Sequence, residues 1–271
     1  MRRPDGTIAT TNRELPASLG KWRKVPMVRG VLALGETTGL GTKAMVWAAK
    51  ERAGEEEADD GYSKTGLALS TVVALVLALG IFGVLPAAVI KAIGIGGSIR
   101  FSLAEGVLRL AILLAYSALL ALSPQIRRVF SYHGAEHMTI HAFEHGVALE
   151  SQAIRAFDRR HPRCGTSFLL VVVAVTVLAH AAVGNPSWPL LVASRILGLP
   201  IVAGLAFEAI RFASRHQTSW YGRALMAPGY LLQGLTTREP DDDQIEVAIA
   251  ALQATLAQEA SMATGLAVAA A

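Results

Sequence analysis

The stretch Leu67–Ile90 reads LALSTVVALVLALGIFGVLPAAVI, and its 24 residues contain no charged side chain. Lys64 and Lys91 bracket it on either side. A run of about 20 apolar residues wound as an α-helix crosses the roughly 30 Å hydrocarbon core of a bilayer. The stretch therefore predicts a transmembrane helix.

The composition of the whole chain agrees with a membrane protein. Of its 271 residues, 52% are hydrophobic and only 17% are charged, whereas roughly a quarter of the residues in soluble domains are charged. Three further apolar stretches follow the first: Gly106–Leu122, Thr166–Val183 and Leu190–Ala213. We therefore predict an all-α membrane protein with about four transmembrane helices. The alternative is a soluble core built from long buried helices.

The Lys and Arg residues alternate between the segments that flank these stretches. Eleven precede the first stretch, two lie between the first and second, six between the second and third, none between the third and fourth, and three follow the fourth. Basic residues concentrate in short loops on the cytoplasmic side of a membrane. Both termini and the long central loop are therefore predicted to be cytoplasmic. This topology accounts for the formal net charge of +4, so we expect no nucleic-acid partner.

These features divide the chain into five predicted segments. They are a cytosolic or interfacial N-terminal segment (1–65), a transmembrane helix pair (66–122), a cytosolic loop (123–165), a second transmembrane pair (166–213) and an amphipathic cytosolic C-terminal segment (214–271). Within the first, Val25–Ala49 suits an interfacial or re-entrant helix pair, or equally a soluble hairpin. Glu51–Asp60 is predicted to be an acidic, solvated linker.

The C-terminal segment has two predicted parts. Tyr221–Leu235 suits an amphipathic stretch at the membrane surface, broken near Pro228. Beyond it, Pro240 and three aspartates mark a helix start, with Asp243 and Glu246 spaced as a capping box. This last helix presents an apolar stripe, predicted to dock on the cytoplasmic body or on another subunit, formed by Ile245, Ala248, Ile249, Leu252 and Leu256.

Five of the seven histidines lie between His133 and His161, in the predicted cytoplasmic loop. If residues 132–145 are helical, four of them share one face at i, i+4 spacing: His133, His137, His141 and His145. Glu144 lies on nearly the same stripe, and Cys164 closely follows His161. Imidazole, carboxylate and thiolate together favour a transition metal, zinc above others. The alternative is a wet helix face beside lipid headgroups.

Two residues near this cluster have other possible roles. Glu136 points about 100° away from His137 on a helix and suits a general base that acts on water activated by the metal. The metalloprotease motif H-E-x-x-H is not present. Cys164 is either a metal ligand, a nucleophile with His161 as its base at a helix N-terminus, or an inert buried residue. As the single cysteine, it excludes a disulfide-stapled scaffold.

Three strings carry a resemblance to a known family: YHGAEH (Tyr132–His137), HPRCGTSF (His161–Phe168) and LTTREPDDDQIEVAI (Leu235–Ile249). They resemble an uncharacterised bacterial family of multi-pass membrane proteins that is often labelled a predicted metal-dependent enzyme. The resemblance extends over nearly the whole chain and implies a location in the bacterial cytoplasmic membrane. It implies a site at the positions that match the family pattern, namely His133, Glu136, His137, Glu144, His161 and Cys164. His141 and His145 depart from that pattern, so the resemblance favours a site that combines His133, His137 and Glu144 with His161 or Cys164. His141 enters the predicted ligand set through its spacing.

Ionisable residues within the apolar stretches are expensive in a bilayer and need partners. Glu105 and Arg109 are one helical turn apart and are predicted to pair at the outer rim of the second stretch. Glu208 is predicted to pair with Arg211 in the same way. The sequence also predicts that Arg195 extends outward to the membrane surface and that His180 is interfacial.

Two functions fit these predictions. The first is a membrane-embedded metal-dependent hydrolase, in which Glu136 or Glu144 shuttles a proton beside the metal. The second is a homo-oligomeric channel, transporter or membrane-biogenesis scaffold with a structural metal site. Structural zinc sites are closed by four protein ligands, whereas catalytic sites keep one position open. Both functions place the chain in a lipid bilayer, and neither identifies a substrate.

Overall fold

A computed structural model describes residues 1–12, 20–53, 64–184 and 186–269. These residues are α-helical, without a β-strand among them. The predicted acidic linker lies outside them from residue 54 onward, as does Asn185. The helices, in chain order, are α1 (Val28–Ala53), α2 (Lys64–Ala78), a π-helical segment (Leu79–Val84), α3 (Leu85–Ala92), α4 (Ser98–Leu120), α5 (Pro124–Glu144), α6 (Ser151–Ile154), α7 (Gly165–Val183), α8 (Trp188–Leu197), α9 (Leu199–Arg215), α10 (Trp220–Thr236) and α11 (Asp242–Ala269).

The chain folds into two compact units. One, which we call the histidine unit, comprises Met1–Ser18, Leu120–His161 and Gln233–Ala271. The other, which we call the membrane unit, comprises Leu19–Leu119 and Pro162–Leu232.

Among the described residues, three helical stretches are long and apolar enough to cross a membrane: Ala68–Ala92, Ser98–Leu120 and Gly165–Val183. A fourth crossing forms if α8 and α9 act as one span, since they meet at a 45° bend. The first and third predicted spans are confirmed as apolar helices of sufficient length. The second begins eight residues before the predicted Gly106. Of the two charged residues in that extra length, Glu105 is buried and paired inside the unit and Arg100 is exposed.

The first span changes its helical winding at Leu79–Val84, where it becomes a π-helix. Pro86 follows at the start of α3. Proline has no backbone N–H, so it cannot bond the carbonyl four residues earlier, which is that of Phe82. Arg109 Nε donates to this carbonyl at 2.6 Å. A side chain of α4 thus supplies a hydrogen bond to the irregular part of the first span.

Paired charges lie buried inside the membrane unit. Glu105 accepts hydrogen bonds from Arg109 and from Arg195, whose Nη2 lies 2.6 Å from Glu105 Oε2. The predicted Glu105–Arg109 pair is therefore confirmed. The predicted outward extension of Arg195 is wrong, because Arg195 is buried. His180, predicted to be interfacial, is buried inside the unit, and its Nδ1 lies 3.5 Å from Glu105 Oε1. A buried carboxylate needs cationic partners, and these residues provide them.

Helix α1 is one continuous helix, so the predicted helix pair in Val25–Ala49 is wrong. It packs closely on α9, where a Cβ at Gly30 would lie 2.6 Å from Phe207 Cβ. Glu208 binds Arg29 of α1, with Arg29 Nε donating at 2.7 Å. The predicted Glu208–Arg211 pair is replaced by this contact, because α1 brings a guanidinium group to the carboxylate.

Helix α10 runs unbroken through Pro228, so the predicted break there is wrong. Tertiary packing holds this part of the helix in place. A Cβ at Gly229 would lie 2.3 Å from Ser167 Oγ of α7, so α7 and α10 are in close contact here. This contact offsets the loss of one backbone hydrogen bond at the proline.

The histidine unit is built around α5, and the predicted helix over residues 132–145 is confirmed. Pro124 opens the helix after Ser123, as is favoured at the first helical position. Gly146 closes it with φ of +66°, and Val147 N donates to Ala142 O at 2.9 Å. This arrangement is a Schellman motif, which needs a glycine in the left-handed region.

An apolar core joins α5, α6 and α11. Its fully buried residues are Ala135, Met138, Ala142, Ile154 and Ile245. Of the stripe predicted on the last helix, Ile245, Ala248 and Ile249 pack in this core. The predicted docking of α11 on another part of the chain is thus confirmed for these residues.

The cap of α11 differs from the prediction by two residues. Asp241 Oδ1 accepts from Gln244 N at 2.8 Å, and Gln244 Oε1 accepts from Asp241 N at 3.0 Å. This is a reciprocal capping box. The predicted partners, Asp243 and Glu246, instead bind Arg2 near the N-terminus, because the chain before α1 returns to α11.

Gly134 lies where α5 meets the segment that leads into α11. A Cβ at Gly134 would lie 2.1 Å from the carbonyl oxygen of Arg238, and Arg238 N donates to Phe130 O at 2.9 Å. We expect Gly134→Ala to destabilise the histidine unit by about 1–3 kcal/mol, because backbone must move to admit the methyl group. Proteolysis rates of α5 and α11, measured in purified protein, report this loss.

Gly165→Ala is the matched control for that variant. Gly165 opens α7, and no atom lies within 4 Å of a Cβ placed there. The control should resist proteolysis as the unmodified protein does. Equal resistance of Gly134→Ala and Gly165→Ala would contradict the steric role assigned to Gly134.

Candidate metal centre

Helix α5 presents its histidines opposite the face that packs in the apolar core. Each of its three histidines forms a hydrogen bond from a ring nitrogen to a backbone carbonyl of the histidine unit. The pairs are His133 Nδ1 with Thr236 O at 2.9 Å, His137 Nδ1 with Arg159 O at 2.7 Å, and His141 Nε2 with Arg160 O at 2.9 Å. A carbonyl oxygen only accepts hydrogen bonds, so each of these ring nitrogens is the donor.

These bonds select the tautomer that each imidazole has in its neutral form. The lone pair resides on Nε2 of His133 and His137 and on Nδ1 of His141. Metal-binding histidines in proteins typically donate their other ring N–H to a carbonyl or carboxylate, which orients the ring and raises its basicity. The α5 histidines therefore have the outer hydrogen bonds that metal ligands need.

The segment that carries His161 returns along α5 after α6. Phe157 of this segment packs against the apolar core, and the Arg159 guanidinium donates to the Thr237 carbonyl. Arg160 forms a salt bridge with Asp158 at 2.7 Å. These contacts position the carbonyls that bind the α5 imidazoles.

His161 itself is held by a buried glutamine. Gln233 Oε1 accepts from His161 N at 2.8 Å, and Gln233 Nε2 donates to His161 O at 3.0 Å. Gln233 is fully buried. Both hydrogen bonds are made to the backbone of His161, so they fix its position without engaging its imidazole. We call this pair of hydrogen bonds the clamp.

The imidazole of His161 is neutral at physiological pH. Burial lowers the pKa of His161 to about 4, and the nearby His141 and His137 lower it in the same direction. The ring centroids of His141 and His161 are 4.6 Å apart. A neutral imidazole is the form that binds a metal ion, so protons compete with a metal for His161 only near and below a pH of about 4.

His141, Glu144 and His161 form a cluster whose ligand atoms all lie within 4.8 Å of one another. Glu144 Oε2 lies 3.5 Å from His161 Nε2. Two groups bound to one tetrahedral zinc ion at about 2.0–2.1 Å lie roughly 3.3 Å apart. The histidine unit therefore contains a group of residues able to hold a metal ion.

The remaining predicted site residues lie at different positions. His133 and His137 are on the same face of α5 as His141, with His133 and His137 ring centroids 4.4 Å apart. Glu136 is exposed on α5, and its role as a general base stays a prediction. Cys164 belongs to the membrane unit, so its place among the ligands also stays a prediction.

Cys164 has a defined local structure within the membrane unit. It is the N-cap of α7, where its Sγ accepts a hydrogen bond from Thr166 N at 3.4 Å. The predicted helix N-terminus at Gly165 is thus confirmed. The thiol is buried. This local structure stabilises the start of α7 and is compatible with each of the roles predicted for the thiol.

Sequence reasoning missed the residues that support the cluster. Gln233 stands alone as an amide among apolar residues of the string YLLQGL, and this isolation is the signal that could have identified it. The other supporting groups are backbone carbonyls, which accept hydrogen bonds whatever the side chain of their residue. The sequence therefore gives no indication of the carbonyls of Thr236, Arg159 and Arg160.

The fold and the cluster define a class of protein: an all-helical chain with three or four helices able to cross a membrane and a histidine–glutamate group that could hold a metal. A family model described as "Protein of unknown function (DUF1385)" matches residues 25–258, and the chain belongs to this family. It is 32% identical over 278 residues to the "Uncharacterized protein YqhQ" of Bacillus subtilis (strain 168). That alignment covers 96% of this chain and 86% of the relative. No solved structure gives a significant match.

These comparisons agree with the family resemblance in the sequence at the level of an uncharacterised family. Neither description mentions a metal or a reaction. The label of metal-dependent enzyme therefore stays a prediction.

Gln233 provides a test of the support around the cluster. We expect Gln233→Leu to weaken zinc binding by about 10–100-fold, the range found when outer hydrogen bonds of a metal site are removed. Leucine has a similar volume but cannot bond the backbone of His161. Titration of metal-stripped protein with zinc measures the affinity.

Gln253→Leu makes the same chemical change at an exposed position of α11. It should leave the zinc affinity unchanged. If Gln233→Leu folds and binds zinc as tightly as Gln253→Leu, the clamp does not support the site.

Proposed function

We propose that this protein is a multi-pass protein of the bacterial cytoplasmic membrane whose histidine unit binds a transition metal ion, zinc above others, for a hydrolytic reaction at the cytosolic face. The observation that carries this proposal is the His141–Glu144–His161 cluster, with its neutral buried imidazole and its ligand atoms within 4.8 Å of one another.

The chemistry of the donors supports a transition metal. Calcium and magnesium prefer sets of oxygen ligands, whereas two of the three groups here are imidazoles. Two nitrogens and one carboxylate oxygen form the ligand set of several zinc hydrolases. A zinc ion held in this way acts as a Lewis acid and activates water.

The number of ligands supports a hydrolase over a scaffold with a structural metal. The cluster in the histidine unit supplies three protein groups, and a catalytic zinc site keeps its fourth position open. Glu144 has a side chain that is 31% exposed, so the cluster is accessible to solvent at this edge. Glu136 is the predicted proton carrier. A fourth protein ligand, for which Cys164 is the predicted residue, would favour the scaffold.

The alternation of basic residues supports the proposed orientation. The predicted cytoplasmic segments contain eleven, six and three Lys or Arg residues, against two and none in the other loops. The histidine unit is formed from the N-terminal, central and C-terminal parts of the chain, which are the parts predicted to be cytosolic. The proposal thus places the whole metal centre in one compartment.

Elemental analysis tests the metal centre directly. We expect the purified full chain to contain about one zinc per molecule, and the double variant His141→Ala/His161→Ala to contain less than about a tenth of that, since two of three ligands are removed. His216→Ala is the matched control, because His216 lies in the membrane unit outside the cluster. Metal-free wild-type protein, or full metal content in the double variant, would rule out this site.

X-ray absorption at the zinc edge separates the two functions. A hydrolytic site of the proposed kind has nitrogen and oxygen ligands at about 2.0–2.1 Å, whereas a thiolate adds a sulfur at about 2.3 Å. We expect the spectrum of the wild-type protein to lack the sulfur shell and to be unchanged in Cys164→Ser. A sulfur shell that disappears in Cys164→Ser would make the thiol the fourth ligand and contradict the open site.

The proposed orientation has a separate test. A reporter that is active only in the cytoplasm, fused at the C-terminus or inserted at Gly146, should be active at both positions because the basic segments remain inside. A reporter inserted at Gly94, between the first two spans, should be inactive. Activity at Gly94 together with inactivity at the C-terminus would reverse the topology.

A further inference from the structure

The membrane unit contains a second cluster of ionisable side chains, independent of the proposed metal centre. Glu105 and Arg109 lie on α4, His180 on α7 and Arg195 on α8. The side chains of Glu105 and Arg195 are each 1% exposed, and those of Arg109 and His180 are 6% and 7% exposed. Four ionisable groups thus lie together within helices that are otherwise apolar.

The charges in this cluster do not balance. One carboxylate faces two guanidinium groups, which leaves one positive charge in excess when the imidazole is neutral. Both oxygens of Glu105 are already engaged, Oε1 by Arg109 and Oε2 by Arg195. Buried Arg109 Nη1 and Arg195 Nε have no hydrogen-bond partner among the described residues. Buried donors without acceptors are costly, and more so when they belong to a charged group.

A cavity of about 370 Å³ adjoins these groups. Its size is in the range of small-molecule sites. Arg109, His180 and Arg195 line it, together with mostly apolar residues of the spans. Several lining residues are also exposed on the apolar outer surface of the unit, including Leu75 and Tyr116. The cavity therefore joins cationic donors to a surface suited to hydrocarbon.

The guanidinium of Arg109 is held in place from two directions. Its Nε donates to the Phe82 carbonyl of the π-helical segment, and its Nη2 donates to Glu105. Phe82 and Gly83 of the same segment line the cavity. π-helical segments are frequent at functional sites. The guanidinium group is thereby fixed in a residue that lines the cavity.

We propose that this cavity binds a membrane amphiphile through an anionic phosphate or carboxylate head, with its apolar chain along the spans. The planar fork of a guanidinium matches the oxygens of either anion. One anionic head balances the excess positive charge of Arg109 and Arg195, both of which line the cavity. The apolar lining takes up the chain, which a free anion does not have.

Native mass spectrometry of delipidated full-length protein tests the proposal with three probes: phosphatidylglycerol, a diacylglycerol with the same chains, and inorganic phosphate. We expect phosphatidylglycerol to be retained at least about tenfold more than diacylglycerol, as loss of a charge-assisted hydrogen bond predicts. Arg195→Gln should reduce phosphatidylglycerol retention by about the same factor. Arg100→Gln, an exposed arginine of the same α4, is the charge-matched control.

A cavity-filling variant keeps the test valid if Arg195→Gln does not fold. Ala78 lines the cavity, so Ala78→Trp should block the apolar chain and abolish retention of both lipids while leaving the charges in place. Val76 is exposed and lies about 200° around the helix from Ala78, so Val76→Trp should bind as the wild type does. Circular dichroism verifies that each variant is helical.

Three outcomes would overturn the proposal. The first is equal retention of phosphatidylglycerol and diacylglycerol, which removes the role of the anion. The second is unchanged phosphatidylglycerol retention in folded Ala78→Trp, which removes the cavity. The third is binding of inorganic phosphate, lost in Arg195→Gln, without retention of phosphatidylglycerol, which makes the ligand a free anion. These outcomes do not depend on zinc, so they are separate from the tests of the metal centre.

Discussion

The packing of α5 against α11 is the interaction on which the histidine unit depends. Met138 and Ile245 are fully buried in the shared core, and Gly134 leaves room for the carbonyl of Arg238. This contact fixes the rotation of α5 about its axis. The opposite face, which holds the histidines, then lies against the backbone of the segment Arg159–His161. Without the apolar contact, the i, i+4 spacing would place the imidazoles on one stripe but would not determine what that stripe meets.

The fold was predictable where a local sequence pattern was compatible with only one secondary structure. Leu67–Ile90 is apolar over its whole length, and residues 132–145 end near a glycine that closes the helix. The predictions failed where tertiary contact overrode local preference. Pro228 stays within α10 because the helix packs on α7. The cap of α11 is Asp241 instead of the predicted Asp243, because both carboxylates suit a helix start. Arg2 binds Glu246 of the predicted pair at 2.6 Å.

The sequence also predicted only part of the candidate site: it indicated the side chains of the cluster but not the groups that surround them. The spacing of His137, His141 and Glu144 was visible in the sequence, because a helix converts spacing into proximity. The clamp by Gln233 was not, because it joins residues 72 positions apart. The position of Arg195 was also missed. A single arginine in an apolar stretch suggests extension to the surface, and only the location of Glu105 on another helix shows that pairing is the better solution.

The two clusters stabilise their buried polar groups in different ways. In the histidine unit burial lowers the pKa of His161 to about 4, so this imidazole is neutral, and backbone carbonyls accept hydrogen bonds from the rings of His133, His137 and His141, which orients these rings as in metal sites. In the membrane unit, guanidinium groups cannot lose their charge, and one carboxylate does not balance two of them. A cluster of imidazole and carboxylate groups favours a cation as its ligand, whereas a cluster with excess positive charge favours an anion. The opposite chemistry of the two proposed ligands therefore follows from the ionisation properties of histidine and arginine.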